Sequence, residues 1–127
     1  MEVKDCIEFV RNNPTCYLAT VEDDQPRVRA FACWMADETG FYFDTADYKD
    51  NWKQLTANPK CEVCFYDGKR MLRLSGKIEH NDDSVIRQKL FKDKPDNPKT
   101  VIFYIPHGEL LMWWREEGKS HKEKLLF

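Results

Sequence analysis

The sequence predicts a mainly-β domain: an antiparallel sheet that closes on itself, with short helices at its periphery. Three observations carry this. Apolar and β-branched runs of strand length recur six or seven times along the 127 residues, each bounded by turn chemistry. Most of these runs are joined by hairpin connections, which make antiparallel neighbours. Only three segments carry helical spacing. A closed sheet removes the exposed edges that such a set of strands would otherwise present.

The elements follow in order. Residues 3–12 predict a short amphipathic helix, with Val3, Cys6, Ile7 and Val10 on one side. Asn13-Pro14 stops it. Strands are expected at 15–22 and 27–36, joined by the turn residues Glu22-Asp-Asp-Gln-Pro26. Asp37-Glu-Thr-Gly40 is a turn, and 41–45 a third strand. A helix over about 48–57 closes at Asn58-Pro59. Strands at 61–67 and 70–80 flank Asp67-Gly68, a strong hairpin signal. Residues 82–91 read as a helix, which Asp82, Asp83 or Ser84 can cap. Residues 92–99 form a loop, and 100–106 and 109–115 are the last two strands. From Gly118 onward the chain reads as a charged tail. Neither a repeat nor an interdomain linker interrupts it, so residues 1–127 are expected to form a single domain.

Composition narrows the function. The net charge is −2 with both signs interspersed, which gives no support to nucleic-acid binding. No apolar run reaches membrane-spanning length, and the first residues lack a signal-peptide core. The expected location is the cytoplasm, without membrane association. Five cysteines, an odd number, fit free thiols in a reducing compartment. Cys61-Glu-Val-Cys64 has metal-pair spacing, but on a strand the two side chains leave on opposite faces. No second pair completes a zinc site, so no metal is expected. Cys6, Cys16 and Cys33 read as small buried hydrophobes.

Two stretches suggest an anion site. Thr45 follows the strand-like run Gly40–Asp44 and precedes a helix whose Lys49 and Lys53 are four residues apart, on one face. A helix N-terminus already favours an anion. Read alone, the stretch fits an ordinary amphipathic helix with solvated lysines better than a phosphate cradle. Arg27 and Arg29 lie two apart on one face of a strand. They are either solvated or convergent on an anion, which guanidinium binds in a fork.

Three blocks of the sequence together carry a resemblance: Tyr17-Leu-Ala-Thr-Val-Glu-Asp-Asp-Gln-Pro-Arg-Val-Arg-Ala-Phe31, the run from Gly40 to Phe65, and Leu72-Arg-Leu-Ser-Gly-Lys-Ile-Glu79. In order and spacing they resemble the pyridoxamine 5′-phosphate oxidase-like family of FMN-binding split β-barrels. The similarity is closest to its short general-stress and nitroimidazole-resistance-like members. The resemblance implies a six-stranded antiparallel split barrel that binds FMN as a homodimer, with the flavin in a cleft between subunits. It implies Arg29 on the FMN phosphate, with Arg27 beside it. It places Asp44 and Thr45 along the flavin, Lys49 and Lys53 on the phosphate, and the backbone of Ala30, Phe31 and Ala32 along the ring. Trp113 or Trp114 would cover the flavin or a partner subunit, and Trp113 is the candidate here. The longer oxidases have an Arg-Lys pair where this chain has Asp50 and Asn51. Met71 stands in place of a polar flavin contact. Arg115 and His121 do not reproduce the oxidases' substrate motif, which points away from a true pyridoxamine phosphate oxidase.

No catalytic acid, base or nucleophile stands out. The implied activity is hydride transfer at FMN N5 between reduced nicotinamide and a small molecule, with the chemistry belonging to the flavin. The alternative is a non-enzymatic module of the same fold, holding FMN or haem or acting through its dimer.

Overall fold

The computed structural model describes all 127 residues. In chain order the elements are α1 (Val3–Asn12), β1 (Thr15–Glu22), β2 (Gln25–Ala32), β3 (Met35–Asp37), β4 (Gly40–Ala46), α2 (Asp50–Ala57), β5 (Lys60–Tyr66), β6 (Arg70–Lys77), β7 (Glu79–His80), α3 (Ser84–Leu90), β8 (Thr100–Ile105), β9 (Gly108–Glu116) and β10 (Lys119–Leu126). Every paired ladder is antiparallel. Six strands form one sheet in the order β10-β9-β6-β5-β1-β2, and four form a second in the order β3-β4-β8-β7. This is the split-barrel fold, drawn as two sheets rather than one closed cylinder.

The chain crosses between the sheets four times, once through α2 and three times at short corners: Cys33-Trp34, Ile78 and Pro106-His107. Two of them correct the sequence reading. The strand expected over 27–36 ends at Ala32, and β3 begins at Met35 in the other sheet. The strand expected over 70–80 divides at Ile78 in the same way. The third corner is tight: a Cβ on Gly76 of β6 would lie 2.6 Å from the His107 carbonyl oxygen, and one on Gly40 of β4, at φ +143°, would lie 2.6 Å from the Ile105 carbonyl oxygen of the neighbouring strand β8.

The expected charged tail is also corrected. Residues 119–126 form β10, paired with β9 from Lys119↔Glu116 to Leu126↔Glu109. Glu117 and Gly118, both at positive φ, make the two-residue turn between them. Phe127 continues the pairing through two backbone hydrogen bonds with Gly108, and its ring meets Phe41 edge-on.

The core lies between the sheets, under α1. It includes Cys6, Phe9 and Val10 of α1, Leu18 of β1, Phe41 and Phe43 of β4, Val63 and Phe65 of β5, Leu72 and Leu74 of β6, and Phe103 and Leu110 beyond. Cys6, Cys16, Cys33 and Cys61 are buried and free, and burial pushes their thiols up, Cys6 to about 11 and the other three to about 12. Cys61 faces the core while Cys64 lies on the opposite, partly exposed face of β5, as the strand period requires. The two tryptophans of β9 divide likewise. Trp114 packs against the core and stacks on His121, and Trp113 takes the outer face opposite Met71. No helix is long and apolar enough to cross a membrane.

Candidate anion and cofactor site

β2 is an edge strand, so one side of its backbone has no neighbouring strand to pair with. Its alternate residues Arg27, Arg29 and Phe31 lie opposite Thr20, Leu18 and Cys16, which are buried. The three side chains therefore start toward the interior face. Phe31 enters the core and meets Phe43 and Phe103 edge-on at 6.3 and 6.1 Å. Ala30 and Ala32 point to the other face.

The two arginines meet different partners. Arg27 pairs with Glu22 through Nε at 3.2 Å and Nη2 at 3.0 Å, about half exposed on both sides. Arg29 donates from Nη1 to the Leu18 carbonyl at 3.2 Å and to Thr20 Oγ1 at 2.9 Å. Its Nη2 donates to Gln54 Oε1 at 2.7 Å. All three acceptors are neutral, and no carboxylate lies in ion-pair reach of Arg29. Burial without a counter-charge lowers its pKa from the ordinary arginine value. Its Nε–H and a second Nη2 hydrogen have no acceptor in the chain. These lie on one edge of the guanidinium, the side-on fork that suits an oxyanion.

α2 holds this arrangement. Gln54 and Thr20 are both buried, and Thr20 Oγ1 donates to Gln54 Oε1 at 2.6 Å. Gln54 Nε2 donates to Glu22 Oε2 at 3.3 Å. The sequence reading did not single out Thr20, Asn51 or Gln54. A signal was available in α2: Asn51 and Gln54 share the core-facing stripe of Leu55, where polar residues need partners.

At the start of α2 the expectation changes in one respect. Lys49 is not within the helix but is its N-cap, with extended backbone at φ −79° and ψ 149°. No side chain caps the helix, and the N–H groups of Asp50 and Asn51 find no acceptor in the chain. Thr45 Oγ1 donates to Asn51 Oδ1 at 2.6 Å. Lys53 is exposed one turn on. Asp44 leaves β4 on the face opposite Thr45. Burial raises its carboxyl pKa, and Lys94 and Lys49 oppose that rise.

The fold thus ties Arg29 to α2 through Gln54 and Thr45 to the first turn of α2 through Asn51, with Lys49 at the helix start and Lys53 next to Gln54. It does not bring Trp113 to them. The row of Arg29 runs through Leu18, Val63 and Leu74 to Leu110, so Trp113 is four strands and three residues away, roughly 20 Å along the sheet. Trp113 also lies on the outer face.

The donors fit a terminal phosphate: an uncompensated guanidinium edge, two lysines and two free backbone N–H groups. A family model described as pyridoxamine 5′-phosphate oxidase matches residues 3–113. A NimC/NimA family protein from Clostridium acetobutylicum is similar in structure, at 27% identity and TM-score 0.79, over 96% of this chain and 92% of that one. A pyridoxamine 5′-phosphate oxidase-related, FMN-binding protein from Nostoc punctiforme shares the fold at 14% identity and TM-score 0.66, over 96% and 95%. An FAD-binding protein from Mesorhizobium loti does so at 19% and 0.64, over 84% and 89%. None of the curated proteins matches the chain.

Proposed function

The chain belongs to the pyridoxamine 5′-phosphate oxidase family, and from that membership we propose that it is an FMN-binding flavoprotein that acts as an oxidoreductase. The observation that carries FMN in particular is Arg29. A partly buried guanidinium with neutral partners on one side and an open fork on the other offers an anion from outside the chain a bidentate seat without a competing carboxylate. Both an FMN-binding and an FAD-binding protein share the fold. The cluster of Arg29, Lys49, Lys53 and the α2 N-terminus favours the ligand with a terminal phosphate.

When bound, the flavin supplies hydride and electron transfer. The residues of this chain bind and orient it. Arg29, Lys49 and Lys53 offset phosphate charge, and the free N–H groups of Asp50 and Asn51 are available to its oxygens. Thr45 holds the start of α2 in place through Asn51. The unpaired edge of β2, along Ala30, Phe31 and Ala32, can pair with the polar rim of a planar ring. Arg27, neutralised by Glu22, contributes least.

The proposed assembly is a homodimer built on the outer face of the six-stranded sheet. Tyr17, Val28 and Tyr66 are more than half exposed there, beside Met71 and Trp113. Large aromatics in one patch suit an interface. Trp113 is too distant to serve the Arg29 site of its own chain, so it would serve the site of a second copy.

The electron donor we propose is reduced nicotinamide, and the acceptor a small molecule. Purified protein should be yellow, or should take up FMN with much higher affinity than riboflavin. NADH or NADPH should bleach the bound flavin. Equal affinity for FMN and riboflavin would remove the phosphate argument. Stoichiometric FMN that neither nicotinamide bleaches would favour the non-enzymatic reading.

A further inference from the structure

We propose that Gln54 is a positioning residue: its amide stands between Arg29 and the Glu22 carboxylate and turns the open edge of the guanidinium outward. The inference rests on the reading of Arg29 as the phosphate ligand. It goes beyond that reading by assigning the orientation and the unneutralised charge of Arg29 to a residue on a different element.

The two carboxylate oxygens of Glu22 both have partners here. One holds Arg27 and the other accepts from Gln54 Nε2. The other end of the same amide, Oε1, accepts from both Thr20 and Arg29. The amide direction is fixed by its neighbours: a carboxylate requires the NH2 end, and a guanidinium requires the oxygen. Gln54 therefore stands between Glu22 and Arg29 and passes no net charge from one to the other. Arg27 is the neutralised arginine of the pair, and Arg29 retains its charge.

The same contacts set direction. Thr20 Oγ1 and Gln54 Oε1 are bonded to each other and accept from Nη1 and Nη2 respectively. They occupy the end of the guanidinium, and the Leu18 carbonyl takes another Nη1 hydrogen. The Nε edge is what remains. Gln54 and Thr20 are buried, so the acceptors are anchored while the arginine's free edge is not covered. A carboxylate at position 54 would put a negative charge at 2.7 Å from Nη2 and beside Glu22. It would neutralise Arg29 within the chain and repel the phosphate.

The test is a double-mutant cycle on flavin affinity. Gln54→Glu should weaken FMN about tenfold or more, and riboflavin by less than about twofold. In an Arg29→Ala background the uncharged change Gln54→Met should alter FMN affinity less than about twofold. Gln54→Met, uncharged and of similar length, should weaken FMN severalfold by releasing the guanidinium, and guards against a folding defect of the Glu variant. Arg27→Ala should weaken FMN far less than Arg29→Ala. If Arg29→Ala weakens FMN but neither position-54 variant does, this inference is wrong and the phosphate reading stands. If Gln54→Met costs the same in both backgrounds, Gln54 serves the fold alone. If Arg29→Ala leaves FMN affinity unchanged, the phosphate reading itself fails and the inference with it.

Discussion

Thr45 Oγ1 donates a 2.6 Å hydrogen bond to Asn51 Oδ1, and so ties the end of β4 to the first turn of α2. Thr45 is 6% exposed. Thr45→Val would keep the shape and remove the donor, leaving the Asn51 carbonyl without its partner. The expected cost is about 1–2 kcal/mol in urea denaturation. The same variant should weaken FMN binding, because Asp50 and Asn51 carry the open N–H groups of the helix start. Thr45→Ser, which keeps the hydroxyl, should restore both. A Val variant as stable as the parent would show that this contact does not hold α2.

The arrangement of cations makes a graded prediction for alanine variants. Arg29→Ala should weaken FMN binding tenfold or more, about 1.4 kcal/mol, since charge-assisted contacts contribute roughly 1.5–3 kcal/mol. Lys49→Ala and Lys53→Ala should each weaken it measurably but less, because both side chains are exposed and screened. Lys69→Ala, in the hairpin turn after Asp67, should leave it unchanged. Isothermal titration of the four variants decides the order, and four equal affinities would mean that the wrong residues were chosen.

What could be read from the sequence was mostly local. The turn at Glu22–Pro26, the hairpin at Asp67-Gly68 and the stop at Asn58-Pro59 are short-range chemistry, and each element they bound is present. The corners at Cys33-Trp34 and Ile78 were not readable, because the alternation of faces runs on while the strand changes sheet. β10 was missed because Lys119-Ser-His-Lys-Glu-Lys124 is almost wholly polar, and its turn, Glu117-Gly118, is a weaker hairpin signal than Asp-Gly or Asn-Gly. At the site, Arg27 and Arg29 are legible as two arginines on one strand face, and the family resemblance favours Arg29. The partners of Arg29 are not legible, since Gln54 is 25 residues away in sequence and Thr20 meets Gln54 across 34. Spacing cannot show such pairs, and only the packing of α2 on β1 makes them.

The outer face of the six-stranded sheet supports a prediction about assembly. Val28 is 69% exposed and Tyr17 55%, so neither contributes much to the interior of one chain. Val28→Lys and Tyr17→Glu should leave the fold intact and place charge in the proposed interface. Sedimentation should show a dimer for the parent and a monomer for the double variant, with circular dichroism unchanged. FMN should shift the parent further toward dimer, because a ligand that binds only the dimer stabilises it by mass action. A parent monomer with stoichiometric FMN would place the whole site in one chain.

Arg87 gives the last prediction, on stability and pH. It is partly buried and bonds Asp96 from both Nε and Nη2, Asp82 from Nη1 at 2.7 Å, and the carbonyls of Thr100 and Asn97. Its guanidinium also lies over the Phe91 ring at 5.1 Å. One side chain thus fastens the 91–99 segment to α3 and β8. Hydrogen bonds from Arg87 hold the Asp96 carboxyl below its ordinary value. A carboxyl depressed in the folded state stabilises the fold above its unfolded pKa, near 3.9, and that contribution is lost as pH falls through the folded pKa. Asp96→Asn should therefore be less stable than the parent by a constant amount above about pH 5. The gap should narrow below about pH 4 and close in stronger acid. Arg87→Met should destabilise more than Asp96→Asn, because it leaves two carboxylates without their partner. Urea denaturation across this pH range measures both. A gap between parent and Asp96→Asn that widens in acid would reverse the sign and show that Arg87 does not hold Asp96 charged.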